Sequence, residues 1–187
     1  MKIVLLRHGK PLLTQDRSIK SRNMQHWIDA YNSAKLDPVA QPSAALYKIS
    51  KQCQHIICSN LPRSIHSAKY LKLNTINESC PLFRELGLPY RKIPIIKLKP
   101  KLWAGLFRLF WFMGFSLNSE SYQDAKIRAG DAAKKLIEIA HSKESVLVVG
   151  HGMLNRFIAK ELLNSGWSCS QKLGNQHWDY GVFEKTV

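Results

Sequence analysis

Apolar positions along the chain fall into short continuous runs alternating with stretches of helical period. Lys2-Ile3-Val4-Leu5-Leu6 and Ser145-Val-Leu-Val-Val149 are β-branched-rich runs, and His55-Ile56-Ile57-Cys58 is a shorter one. Such runs read as strands buried on both faces. Between them, Ser43 is positioned to cap a helix running to about Cys53, and Pro62 to open one that continues through Leu71. Ala125, Ala129, Ala132, Ala133, Leu136, Ile137 and Ala140 mark a long amphipathic helix from Ser119 to about His141, and a further helix follows Gly152 to about Leu163. Weaker signals give a helix over 21–33, a strand near Cys80–Phe83 and a last edge strand at Tyr180–Phe183. Strand and helix in alternation predict an α/β fold: three layers, α/β/α, around a mostly parallel central sheet. No repeat or linker divides the chain, so a single domain over 1–187 is expected, with a basic and aromatic insertion at about 91–118.

Three of the apolar runs end in polar clusters: Arg7-His8-Gly9, Ser59-Asn60-Leu61-Pro62-Arg63 and Gly150-His151-Gly152. Ligands of open α/β sheets bind at the carboxyl ends of strands, and a helix start presents free N–H groups and a positive dipole end to an anion. Arginines can fork onto phosphate oxygens. Histidines can donate to phosphate or attack it, and a neighbouring glycine allows close backbone approach. Two arginines and two histidines at successive strand ends therefore predict a phosphate pocket.

Charge agrees with this reading but is less specific. The chain carries 28 Lys+Arg against 13 Asp+Glu, a formal net charge of +15, which favours phosphorylated or polyanionic partners. No nucleic-acid-binding motif accompanies the charge, and nucleic acid is not expected as a partner. Cys53, Cys58, Cys80 and Cys169 lack the spacing of a zinc site, and Cys58 closes an apolar run. They read as reduced thiols of a cytoplasmic protein, and Arg7 interrupts the first apolar run too early for a signal peptide.

Leu6-Arg7-His8-Gly9, the segment Ser59–Ala68 and Val148-Val149-Gly150-His151-Gly152 together resemble the histidine phosphatase superfamily, the phosphoglycerate mutase-like group. Phe83-Arg84-Glu85-Leu86-Gly87 is similar to the segment carrying that family's acid. Ser119-Glu120-Ser121 with Arg128 resembles a further pattern of the family. The resemblance implies a nucleophilic His8 that forms a phosphohistidine, with its other ring nitrogen held by a backbone carbonyl. Arg7 and Arg63 would lower its pKa by repulsion. It also implies a clamp of Arg7, Arg63 and His151 on the phosphoryl group and Glu85 as proton donor and then base, with no metal and no cofactor. Gly152 and Lys10 complete the expected substrate contacts. Lys10 departs from the acidic or polar residue frequent there in mutases. Glu120 is the alternative acid and reads better as a salt-bridge or helix-start residue; His66 reads as a rim or surface residue. His26, His55, His141 and His177 show no pattern.

The expected activity is hydrolysis of a phosphomonoester on a small molecule. The alternatives are a phosphoglycerate-type mutase, a phosphohistidine-protein phosphatase, and a non-catalytic basic module for anionic membranes or nucleic acid. In the insertion, Arg91, Lys92, Lys97, Lys99 and Lys101 precede the run Leu102–Phe115. That run is shorter than the ~20 residues a bilayer requires. Its first reading is a helical lid packed on the core; peripheral contact of 91–115 with an anionic membrane, or a dimer interface, are the alternatives.

Overall fold

The computed structural model describes residues 1–13, 17–73 and 75–186. In chain order the elements are β1 (Lys2–Arg7), β2 (Ile19–Lys20), α1 (Met24–Ser33), α2 (Ala44–Gln52), β3 (His55–Ser59), α3 (Pro62–Tyr70), β4 (Glu78–Cys80), β5 (Lys97–Leu98), α4 (Pro100–Phe112), α5 (Tyr122–Lys143), β6 (Ser145–Gly150), α6 (Gly152–Asn164), β7 (Ser168–Gln171) and β8 (Tyr180–Glu184). Six strands form one sheet in the order β4-β3-β6-β1-β8-β7. The first four run parallel, β8 runs antiparallel to them, and β7 pairs antiparallel with β8 and so returns to the direction of the first four. β2 and β5 pair separately, Ile19 opposite Leu98.

The period of two along the central strands splits their side chains between two cores. Ile3, Leu5, Ile57, Val146 and Val148 face α5 and α6, where Ala125, Ala129, Ala132 and Ala133 let α5 approach the sheet closely. Val4, Leu6, Ile56, Cys58, Leu147 and Val149 face the α2/α3 layer through Leu46, Ala68 and Leu71. The continuous apolar runs are thus strands buried on both faces, as a sheet covered by two helical layers requires.

Several predicted boundaries move for local reasons. The strand predicted near Cys80–Phe83 lies earlier, as β4 over Glu78–Cys80, because Pro81 has no N–H for a ladder and opens a 3-10 turn over 81–83. Residues 21–23 likewise form a 3-10 turn ahead of α1. α5 starts at Tyr122, with Ser121 as N-cap and Asp124 completing a capping box that Ser119 and Tyr122 do not make. β8 is interior: it lies between β1 and the edge strand β7. All four β7 residues are exposed, so no apolar alternation signals this strand.

The insertion folds as α4, whose Pro100, Trp103, Phe107 and Trp111 recur at helical spacing and are buried. Trp103 and Phe107 pack with Met24 of α1 in a satellite core. Trp103 Nε1 donates to the Ile19 carbonyl at 2.8 Å and Trp111 Nε1 to that of Glu120 at 2.8 Å. Among the described residues, no helix is long and apolar enough to cross a membrane.

Candidate active site

The register of the sheet brings the two histidines together. Arg7 lies opposite Gly150 in the parallel pair of β1 and β6, so His8 and His151 leave adjacent strands at the same level. The His8 N–H donates to the Gly150 carbonyl at 3.0 Å, and the two rings stand 5.0 Å apart. β3 ends at the same height, Cys58 opposite Val149, and hands the chain to α3 and Arg63. After β1 the chain passes to the α2/α3 layer, and after β6 to the α5/α6 layer, so their ends form the switch-point crevice where such sheets bind ligands.

His8 is buried and held at both ring nitrogens. Nδ1–H donates to the Gly9 carbonyl at 2.7 Å, and Nε2 accepts from Arg63 Nε at 3.0 Å. A guanidinium N–H can only donate, so the ring carries its proton on Nδ1 and its lone pair on Nε2. Burial holds the His8 pKa well below the ordinary imidazole value, with the Arg63 charge second; Arg7 contributes least of the named causes. The sequence-based expectation ascribed this shift to repulsion by both arginines, but desolvation outweighs them. The glycines on both sides of His151 favour its exposure at a pocket, but His151 is fully buried, and its pKa is likewise depressed by burial and then by Arg63. Its Nε2 is 2.8 Å from the Ser59 hydroxyl. Two polar atoms of these strand ends, Arg7 Nε and His151 Nδ1, are buried without a hydrogen-bond partner.

Arg63 is buried, its NH1 donating to Asn32 Oδ1 at 2.5 Å and its guanidinium lying 5.0 Å from the Tyr31 ring centroid. Arg7 NH1 donates to the Asn175 carbonyl at 2.5 Å, and NH2 lies 3.5 Å from His177 Nε2. Gly152 opens α6 directly against Arg7: a Cβ there would come within 3.3 Å of Arg7 Nε. Glu85 reaches the same helix start, Oε1 accepting from Leu154 N–H at 3.1 Å and Oε2 from Met153 N–H at 3.4 Å. With Tyr31, Asn32, Arg63, Arg84 and Arg108, Glu85 lines a cleft of about 390 Å³.

The remaining candidates have other partners. Lys10 points its ammonium to Asp37 at 2.8 Å. Glu120 is clamped by Arg128 (2.5 and 2.9 Å) and accepts from Gly87 N–H, which ties the start of α5 to the Glu85 loop. His66 is exposed. The cysteines are free, Cys53 and Cys58 buried with thiols pushed up to about 11 and about 12 by desolvation.

Three residues of the site carry no local sequence signal. His177 lies 5.3 Å from the His8 ring, and burial followed by Arg7 and Lys10 depresses its pKa to about 4. It arrives on the loop between β7 and β8. Tyr31 and Asn32 arrive from α1. Only the register of distant elements brings these side chains to His8.

The α/β/α sheet and the polar cluster at the ends of β1, β3 and β6 define a phosphoglycerate mutase-like architecture. The family model for the histidine phosphatase superfamily (branch 1) matches residues 3–183, and the chain belongs to that family. The sequence matches no curated protein. Among solved structures, it is similar to the Mycobacterium tuberculosis open reading frame Rv3214, at 20% identity over 97% of this chain and 89% of that one, TM-score 0.63. A phosphoserine phosphatase from Entamoeba histolytica, in complex with 3-phosphoglyceric acid, aligns at 14% identity over 99% and 97%, TM-score 0.57. The ecdysone phosphate phosphatase of Bombyx mori, in complex with tungstate, aligns at 10% over 100% and 92%, TM-score 0.56.

Proposed function

We propose that this protein hydrolyses a phosphomonoester of a small molecule through a phosphohistidine on His8. The observation that carries the reading is the pinned His8 ring, neutral, protonated on Nδ1 and presenting Nε2 toward a buried arginine. In the resting site Arg63 Nε–H occupies the lone pair that must attack. An arriving phosphoryl group takes over that N–H through an oxygen, which frees Nε2. Nε2 then bonds to phosphorus as the ester P–O bond breaks, and the Glu85 carboxyl gives its proton to the departing alkoxide oxygen. In the second half, Glu85 carboxylate takes a proton from water, the oxygen bonds to phosphorus and the P–N bond breaks, returning neutral His8 and inorganic phosphate.

Charge in flight on the phosphoryl oxygens is met by Arg63, Arg7 and the α6 amides at Gly152. His151 suits a donor role. The Ser59 hydroxyl already accepts from Leu61 N–H, so its own hydrogen is available to His151 Nε2, leaving Nδ1–H to the phosphoryl group. Glu85 is favoured over Glu120 as the acid because Glu120 is engaged by Arg128, whereas Glu85 lines the cleft with Arg63. Lys10, bound to Asp37, acts on the site through its field rather than by direct contact. The phosphoserine phosphatase and the ecdysone phosphate phosphatase among the structural neighbours support hydrolysis over mutase chemistry.

Turnover of para-nitrophenyl phosphate without added metal tests the reading. His8→Ala is expected to lose about 10³-fold or more in kcat, the scale set by removing a covalent nucleophile. Equal rates for wild type and His8→Ala would overturn it.

A further inference from the structure

We propose that the outward side of α4, with the loops on either side of it, is a docking surface for an anionic lipid bilayer. α4 is strongly apolar, its charged residues Lys101 and Arg108 sharing the cleft side with Ala104, yet only part of its apolar surface is covered. Trp103, Phe107 and Trp111 point into the protein. Leu102, Leu109 and Met113, spaced seven and four residues apart, share the opposite side and are 58%, 56% and 66% exposed. Phe112, Phe115 and Leu117 extend the same end of the helix and are also exposed. Contiguous exposed apolar surface of this kind marks a binding face.

The charge around this face selects the occupant. From Leu86 to Ser119 the chain contains no Asp or Glu, but it contains Arg91, Lys92, Lys97, Lys99, Lys101 and Arg108. Arg108 turns inward and donates to the carbonyls of Gly87 and Leu86. The other five are exposed, Lys101 on the cleft side of the helix with Ala104 and Arg108. A second copy of this chain seated face to face would set these cations against their own images, which disfavours an isologous dimer. An anionic bilayer meets both features: negative headgroups for Arg91, Lys92 and Lys97 and a hydrocarbon boundary for Leu102, Leu109, Met113 and Phe115. The 13-residue helix, about 20 Å long, suits lying in the plane of the interface. Ala104 and Arg108, which line the cleft beside Glu85, lie on the other side of the helix, so a bilayer on the outward side leaves the cleft open.

The proposal stands apart from the catalytic reading and is tested without turnover. The intact protein is sedimented with vesicles of phosphatidylcholine alone, and with vesicles containing about one phosphatidylglycerol in three lipids. Wild type is expected in the pellet with the anionic vesicles at low salt, largely in solution with the neutral ones, and released as salt rises. Leu109→Glu/Met113→Glu, both at exposed positions, is expected to lose about tenfold or more of the binding while melting as wild type does. Lys92→Glu/Lys97→Glu gives the same loss by removing charge and provides a second reading should the first variant misfold. Failure of wild type to bind anionic vesicles would overturn the proposal. So would undiminished binding by both variants, which would assign the effect to the overall charge of +15. A concentration-dependent dimer in sedimentation velocity that Leu109→Glu/Met113→Glu dissolves would assign the face to a second copy instead.

Discussion

Arg63 links the folded core to the chemistry of the site. Its N–H on His8 Nε2 fixes the tautomer, and its charge, added to burial, keeps the ring neutral. His8, His151 and His177 therefore all take up a proton less readily in the folded protein than in the unfolded chain, where histidine titrates near 6.5. The sign follows from linkage. Above pH ~6.5 neither state binds these protons and they leave stability unchanged; below it the unfolded chain binds them first, so stability falls with pH until the folded rings also charge, near 4 for His177. Each ring that stays neutral when folded costs about 1.4 kcal/mol per pH unit in that window. The urea midpoint is thus expected to fall between pH 7 and 5, before carboxylates protonate, and the NMR signals of the His8 and His151 rings are expected to stay constant across it. Midpoints near 6.5 in the folded protein would contradict the assignment. Arg7, His8, Arg63 and His151 are legible in the sequence because each follows an apolar run. His177 is not, because its place depends on the β7/β8 pair, and β7 has no buried residue to signal a strand.

At the scale of elements, the site is built by register. Parallel pairing of β1 with β6 sets Arg7 beside Gly150, and the Glu120–Arg128 clamp holds the Glu85 loop against α5. Both strands are readable as apolar runs, whereas their pairing depends on contacts 143 residues apart (Lys2 with Ser145) that no local pattern encodes. The predicted helices survive for the same local reasons that announced them: Ser43 caps α2, and Pro62 sits in the first turn of α3. The glycine after each histidine is also legible, though its reason at position 9 is packing rather than ligand approach. A Cβ on Gly9 would lie 2.3 Å from Cζ2 of Trp178, a buried indole whose Nε1 donates to the Ala40 carbonyl at 2.6 Å. Trp178 itself has φ 68°, so it has little freedom to withdraw. Gly9→Ala is expected to cost about 1–3 kcal/mol through this overlap. Gly105→Ala, in the interior of α4 with open space around the added methyl, is expected to gain up to about 1 kcal/mol. Urea denaturation of both variants checks the contrast; equal effects would mean that Trp178 yields freely.

For the whole molecule, fold and charge serve one end. A sheet covered on both faces leaves only its edges and strand ends for function; the carboxyl ends of β1, β3 and β6 bring Arg7, His8, Arg63 and His151 together, and Arg63 and Glu85 line the neighbouring cleft. Arg63, Arg84 and Arg108 line that cleft, and the chain's net charge of +15 adds a field that attracts phosphate esters. The insertion was the least legible part: its helix follows from its apolar period, but its two-sided character emerges only when Trp103, Phe107 and Trp111 are seen buried and Leu109 and Met113 left outside. The covalent role of His8 is the claim on which the functional account rests, and rapid acid-free quenching of Glu85→Gln with para-nitrophenyl phosphate, whose phenolate departs without a proton from Glu85, followed by peptide mapping, tests it most directly. Loss of the base that activates water slows the second half-reaction, by about 10²-fold or more, so the account predicts phosphate accumulating on Nε2 of His8 in the tryptic peptide spanning that residue. A substrate-turning-over enzyme with no phosphate on His8, or with phosphate on another side chain, would contradict it.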